Sequence, residues 1–161
     1  MFSTTSPTIY APQPGNPALG WSARLLALGI ALACAAVLGL AAKLTPAADG
    51  VGTHTELGLS RCMWIQQWNL PCPSCGMTTS FAHFAHGNLA ASFYVQPMGM
   101  VLATLTTAAF WVASYTAVTG KPALRLVRIV PAKYYFLPLM FFAIAAWGWK
   151  IFIHLHGMDG W

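Results

Sequence analysis

The sequence predicts an all-α integral membrane protein. It has three transmembrane helices and a short cysteine-bearing helix, interfacial or re-entrant, between the first two. Three observations carry this expectation. Of 161 residues, 57% are hydrophobic and only 7% are charged, against roughly 25% charged in ordinary soluble domains. Three runs of 18 or more residues lack charge or nearly so, and the basic residues lie at their ends. A soluble fold with so few charges would not stay dispersed, so the natural solvent is a bilayer.

Residues 1–20, rich in Pro, Ser and Thr without apolar periodicity, read as a disordered tail. The remainder, 21–161, reads as one helical membrane domain with spans at about 24–44, 98–119 and 134–155. In the first, Leu25 to Ala42 lies uncharged between Arg24 and Lys43. Eighteen residues at about 1.5 Å each give about 27 Å, and the flanking bases can snorkel to complete the span. Ala27, Ala31, Ala35 and Gly39 recur every fourth residue. Such a stripe permits close helix approach, first of all within the protein and alternatively to a membrane-protein partner or a second copy. Cys34, in the same run, reads as a small packing residue.

The second span, Met98 to Val118, starts directly after Pro97, a residue suited to a first helical turn. The third, Tyr134 to about Leu155, contains Pro138 near its start and Lys150 near its end. Lys150 is expected to snorkel outward or face another helix. His154 and His156 are two apart, so on a helix their rings diverge by about 200° and serve as interfacial polar tips.

Charge distribution sets orientation. Lys121, Arg125, Arg128 and Lys133 crowd the connection between the second and third spans. The connection 45–97 holds Arg61 alone, beside Asp49 and Glu56. Basic loops stay cytoplasmic, so the N-terminus is expected in the cytoplasm. The cysteine motif and the C-terminus then lie on the exported side, which in a bacterium is the periplasmic face of the inner membrane. The bases flank apolar runs rather than lining a groove, and nucleic acid is excluded as a partner. The partner is the lipid bilayer.

The connection 45–97 carries the chemistry. Cys62, Cys72 and Cys75 fall within 14 residues. If Pro73 is the first residue of a helix, Cys72 caps it and the helix N–H groups favour a Cys72 thiolate. Gly87 then ends this helix, Asn88 caps a short one, and Trp64 and Trp68 share a face at headgroup level. Three readings stay open: a structural corner with a disulfide or packing role, a redox pair of Cys72 and Cys75, and a metal site of Cys62, Cys72 and Cys75. His83 lies eight residues past Cys75, about 12 Å along a helix, too far for a shared zinc. A fourth ligand would come from elsewhere, with His54 the nearest upstream. No cofactor is required by the sequence, zinc being the alternative that the cysteines allow. Three acids in the whole chain leave no paired carboxylates for catalysis.

The stretch Cys62–Gly99 resembles a family of small bacterial integral membrane proteins classified as a domain of unknown function. The shared core is Cys-Pro-x-Cys-Gly-x-Thr, matched by Cys72, Pro73, Cys75, Gly76 and Thr78. A turn glycine, Gly87, and a helix start at Pro97 to Gly99 follow. This chain departs from that pattern at Thr79, where the family often has Arg, at His86, which stands for a Lys or Arg, and at Gln96, which stands for Asn. The resemblance implies a helical membrane protein and no activity. The expectation is therefore an inner-membrane accessory or scaffold protein whose Cys-Pro-Ser-Cys corner stabilises the exported connection. The alternatives are membrane-surface thiol–disulfide exchange through Cys72 and Cys75, and metal binding.

Overall fold

The computed structural model describes residues 19–121 and 133–160. Most of the tail and the bases Arg125 and Arg128 lie outside the described residues, among which there is no strand. Six α-helices follow one another: α1 (Trp21–Lys43), α2 (Met63–Trp68), α3 (Met77–Ala85), α4 (Leu89–Val95), α5 (Pro97–Thr119) and α6 (Lys133–Leu155). A 3₁₀ turn, Thr53–Leu57, lies between α1 and α2.

Helices α1, α5 and α6 are each 23 residues long, about 34 Å at 1.5 Å per residue, enough to cross a bilayer. Between 11% and 17% of each apolar window is buried inside the protein. The apolar surface therefore faces outward, the reverse of a soluble bundle, and needs lipid to cover it.

Helices α1 and α5 form the most extensive pair. Their direction is fixed at one end, where Arg24 donates from Nε to Ala117 O and from its guanidinium terminus to Val118 O, both at 3.0 Å. Those carbonyls belong to the last turn of α5, whose acceptors lack helical partners. The Leu19 N–H adds a bond to Gly120 O at 2.8 Å. The start of α1 and the end of α5 thus share one side of the membrane domain.

The small-residue stripe divides. Ala27 and Ala31 are buried, whereas Ala35 and Gly39 are exposed, and Ala41 returns inside. A four-residue spacing drifts by about 40° per step on a 3.6-residue helix, so four such residues cannot all stay on one interface.

At the other side, helices α2–α4 fold into a cap over the end of α1 and the start of α5. Asn88 caps α4 by accepting from Ala91 N, and Pro97 occupies the start of α5, both as the sequence predicts. Gly87, at φ 80°, supplies the left-handed turn that ends α3. Close approach is what Gly99 provides: a Cβ there would lie 2.7 Å from Ser80 Cβ and Oγ. The buried Ser80 hydroxyl sits among Ser92 Oγ and O and Gln96 O at 2.9–3.1 Å, locking α3 onto the α4–α5 corner.

Helix α6 packs sparsely along α5. It is held at the cap instead. Trp147 Nε1 donates to Pro71 O at 3.0 Å, Trp149 Nε1 to Tyr94 O at 2.8 Å, and Tyr94 Oη to Met158 O at 2.9 Å. The C-terminal end and the cysteine connection therefore share a side, opposite Arg24.

Candidate functional site

The three sulfurs of Cys62, Cys72 and Cys75 lie within 4.8 Å of one another. Cys62 comes from the start of α2, Cys72 and Cys75 from the turn before α3. The local helix geometry differs from expectation. Residues 73–76 form a turn closed by Cys75 N–H to Cys72 O at 2.9 Å, and α3 begins only at Met77. The reason is Gly76, whose φ of 82° breaks the right-handed run. A Cβ on Gly76 would meet Gly50 O at 3.0 Å and Lys150 Cε at 3.2 Å, so the position also requires the absence of a side chain.

This turn reverses the expected electrostatics. The Cys72 sulfur does not receive helix N–H groups. Cys72 N–H instead donates to Cys75 Sγ at 3.2 Å, and Cys72 Sγ lies 3.1 Å from Cys75 Sγ and 3.2 Å from Ser74 Oγ. Burial pushes the Cys75 thiol well above its ordinary range, reinforced by the adjacent Cys72 and Cys62 thiols. At Cys62 the balance is opposite. Burial is the largest single influence and raises it, but the N–H of Ile65, the Cys75 and Cys72 thiols and the N–H of Trp64 together more than offset this and bring it to about 7. A thiolate is thus favoured at Cys62, at the N-cap of α2.

The turn is clamped on every flank. Pro71 O accepts from Trp147, Pro73 O accepts from Gln96 Nε2 at 3.0 Å, and Thr79 Oγ1 lies 2.8 Å from Thr53 Oγ1. Thr79 and Thr53 are both fully buried. An arginine at residue 79 would require a partner other than Thr53, which accounts for Thr79 fitting this chain. Thr78 is half-buried and faces a cavity beside the thiols.

Two cavities flank the cluster. The larger, about 490 Å³, is walled by Val37, Leu40 and Ala41 of α1 and Leu44 just after it, by Leu57, and by Met77 and Phe81 of α3. The smaller, about 300 Å³, is lined by Asp49, Thr55, Arg61 and Gln66 among others. Cys62, Cys75 and His54 line both, and Cys72 lines only the larger. The thiols therefore stand between an apolar space against α1 and a more polar space under the loop. His54 is tethered through Nε2 to Ser60 O at 3.2 Å.

Behind the turn lies a network that sequence reasoning missed. Lys150 does not snorkel outward. It is fully buried, its Nζ 2.9 Å from Asp159 Oδ1 and 3.3 Å from Gly50 O. Asp159 Oδ2 in turn pairs with His154 Nδ1. His154 is thus a partner of the Lys150–Asp159 pair and not a polar tip, while His156 bonds Phe152 O at 2.8 Å. The available signal was the chain's single acid downstream of Lys150, nine residues on. Gln96 and Thr53 carried no comparable signal, because their partners are distant in sequence.

Residues 62–111 match a family described as "Protein of unknown function (DUF2752)". The match covers about a third of the chain, from Cys62 through the cysteine turn into the first half of α5, and the chain is similar to that family over this stretch. No curated protein and no solved structure matches the chain.

Proposed function

We propose that this protein is a membrane-surface thiol–disulfide exchange protein, with Cys72 and Cys75 the exchangeable pair and Cys62 the entering thiolate. The observation that supports this most directly is the 3.1 Å separation of the Cys72 and Cys75 sulfurs. It lies about 1 Å from a disulfide bond length of ~2.05 Å. It is shorter than the ~3.8 Å edge of a tetrahedral site with Zn–S near 2.3 Å. Cys62 within reach of both supports exchange, because a third thiolate can attack the disulfide that the other two form. In the exchange, the Cys62 thiolate attacks the Cys72–Cys75 disulfide and releases one of the pair as a thiol, a substrate thiolate then attacks the Cys62 sulfur to form a mixed disulfide, and a second thiol of the substrate displaces Cys62. One S–S bond breaks for each one formed. The reading puts the cap on the exported face of a cell membrane, where disulfides persist.

The cluster of three sulfurs with His54 beside it favours a second reading, a soft metal ion held by Cys62, Cys72 and Cys75. A third role, a structural staple within an accessory protein, uses the same Cys72–Cys75 bond without exchange. One experiment separates them: differential thiol labelling in intact cells, read by mass spectrometry at each cysteine, with redox titration of the purified protein. Exchange requires a Cys72–Cys75 disulfide that titrates between about −270 and −120 mV. A disulfide that resists reduction to below about −300 mV makes the corner a staple. Thiols that stay unreactive until a chelator is added select the metal site.

A further inference from the structure

Resting on the exchange reading, we infer that the apolar cavity beside Cys72 receives the ring of a lipid-soluble quinone, which takes the electrons from the Cys72–Cys75 dithiol. The two cavities divide the thiol cluster by solvent. The smaller is the more polar of the two, with Asp49, Arg61 and Gln66 in its wall, and suits a water-borne thiol substrate. The apolar one is walled by the last two turns of α1, a helix long and apolar enough to cross a membrane, and its lining residues Val37 and Leu40 remain exposed. A molecule entering there comes from the bilayer. Its volume of about 490 Å³ falls within the ~300–1,000 Å³ of small-molecule sites. Cys72 opens onto this space alone, while Cys62 and Cys75 face both. Chemistry then narrows the occupant. The partner of a dithiol must accept two electrons, and a quinone does so while dissolving in lipid.

The step balances within the site. The sulfur of Cys72 adds to a ring carbon of the quinone, forming one C–S bond. Cys75 sulfur then attacks Cys72 sulfur, the C–S bond breaks, and its electron pair leaves with the ring. The Cys72–Cys75 disulfide forms, the quinone becomes a hydroquinone, and the two thiol protons end on its two oxygens. His54, which lines both cavities, is placed to carry a proton between them.

The test uses the full chain, reduced and reconstituted in lipid nanodiscs, with a short-chain benzoquinone or naphthoquinone as oxidant. The expected result is one quinone reduced per protein, read by absorbance, together with a Cys72–Cys75 disulfide, and complete loss of both in Cys75→Ser. Leu40→Trp and Val37→Trp add bulk at positions that lipid already covers, so the cap stays folded. Each is expected to slow quinone reduction at least tenfold while oxidation by glutathione disulfide stays within twofold. If glutathione disulfide forms the bond but quinone does not react, the inference is overturned and the exchange reading stands. If quinone reacts equally well in both tryptophan variants, the cavity is not its site. If neither oxidant forms the bond, both readings fall.

Discussion

Asp159→Asn tests what holds α6 to the cap. In the protein, Lys150 is fully buried, with Asp159 Oδ1 at 2.9 Å and a single carbonyl, Gly50 O, at 3.3 Å. The substitution keeps the volume and the capacity to accept a hydrogen bond but removes the negative charge. Breaking one partner of a buried pair costs about 3–5 kcal/mol, because the remaining charge is left uncompensated. Asp159 retains 14% exposure, so water softens the loss and the lower end, about 3 kcal/mol, applies. At 1.4 kcal/mol per decade this is a change of about a hundredfold in the unfolding equilibrium. The assay is denaturant unfolding in mixed micelles, paired with Lys150→Met and the double variant. Lys150→Met alone strands Asp159 and His154, and it is expected to cost a similar amount. The double variant removes both charges and is expected to recover at least half of the summed loss. A cost below about 1 kcal/mol for Asp159→Asn, or strictly additive effects, would refute the view that this pair is a buried, coupled contact.

Three further outcomes follow from the geometry. Gly76→Ala forces a side chain into left-handed φ, costing about 1–2 kcal/mol, and crowds Gly50 O and Lys150 Cε; it is expected to lower stability and slow disulfide formation between Cys72 and Cys75, measured by unfolding and by timed alkylation. Gly99→Ala places a methyl 2.7 Å from Ser80 Cβ and is expected to cost about 1–3 kcal/mol by overpacking, with Ser80→Gly recovering part of it; a neutral Gly99→Ala would show that α3 and α5 are less tightly apposed. Alkylation of the reduced protein is expected to separate the thiols by pH. Only thiolate reacts, so Cys62, brought down to about 7, labels with a rate that falls as pH drops through 7 and levels off above it, while Cys75, held protonated by burial, stays slow through pH 9. Equal rates with a midpoint near the ordinary value of 9.0 at both would contradict this.

The membrane spans were legible because they depend only on composition and length. Uncharged runs bounded by Arg24, Lys43 and Pro97 predicted α1 and α5 to within a few residues. Caps that act on their own neighbours were legible too, Asn88 on Ala91 N and Gly87 after α3. The gathering of Cys62 with Cys72 and Cys75 was weighed from proximity in sequence, but the roles within it were not readable. Cys-Pro-Ser-Cys fits a helix start by propensity, yet Gly76 is fixed in a left-handed turn by Gly50 and Lys150, residues 26 and 74 positions away. At Cys62 the thiolate is favoured by the N–H groups of Ile65 and Trp64 at the start of α2 and by the other two thiols. Lys150 itself read as a discomfort in an apolar run, since nothing local states that the tail beyond α6 folds back to deliver Asp159.

The third cysteine is what separates exchange from a simple staple. Two thiols can only open and close one bond, and a corner needing that bond for stability gains nothing from another sulfur within 4.8 Å. A third thiolate adjacent to a disulfide is a hazard to a staple, because it can attack and scramble it. Here that third thiol is brought down to about 7, and it caps α2, a six-residue helix whose residues are mostly exposed. Cys72 and Cys75, by contrast, sit in a turn clamped through Pro71, Pro73 and Gly76. Under the exchange reading, a thiol at the start of a lightly held helix, facing a fixed pair, would pass a disulfide across a short gap. Replacing Cys62 by Ser should therefore leave the Cys72–Cys75 bond able to form while slowing its exchange with an external thiol at least tenfold, as followed by quenched-flow alkylation. A Cys62→Ser protein that exchanges at the original rate would remove Cys62 from the pathway and leave the pair to act alone.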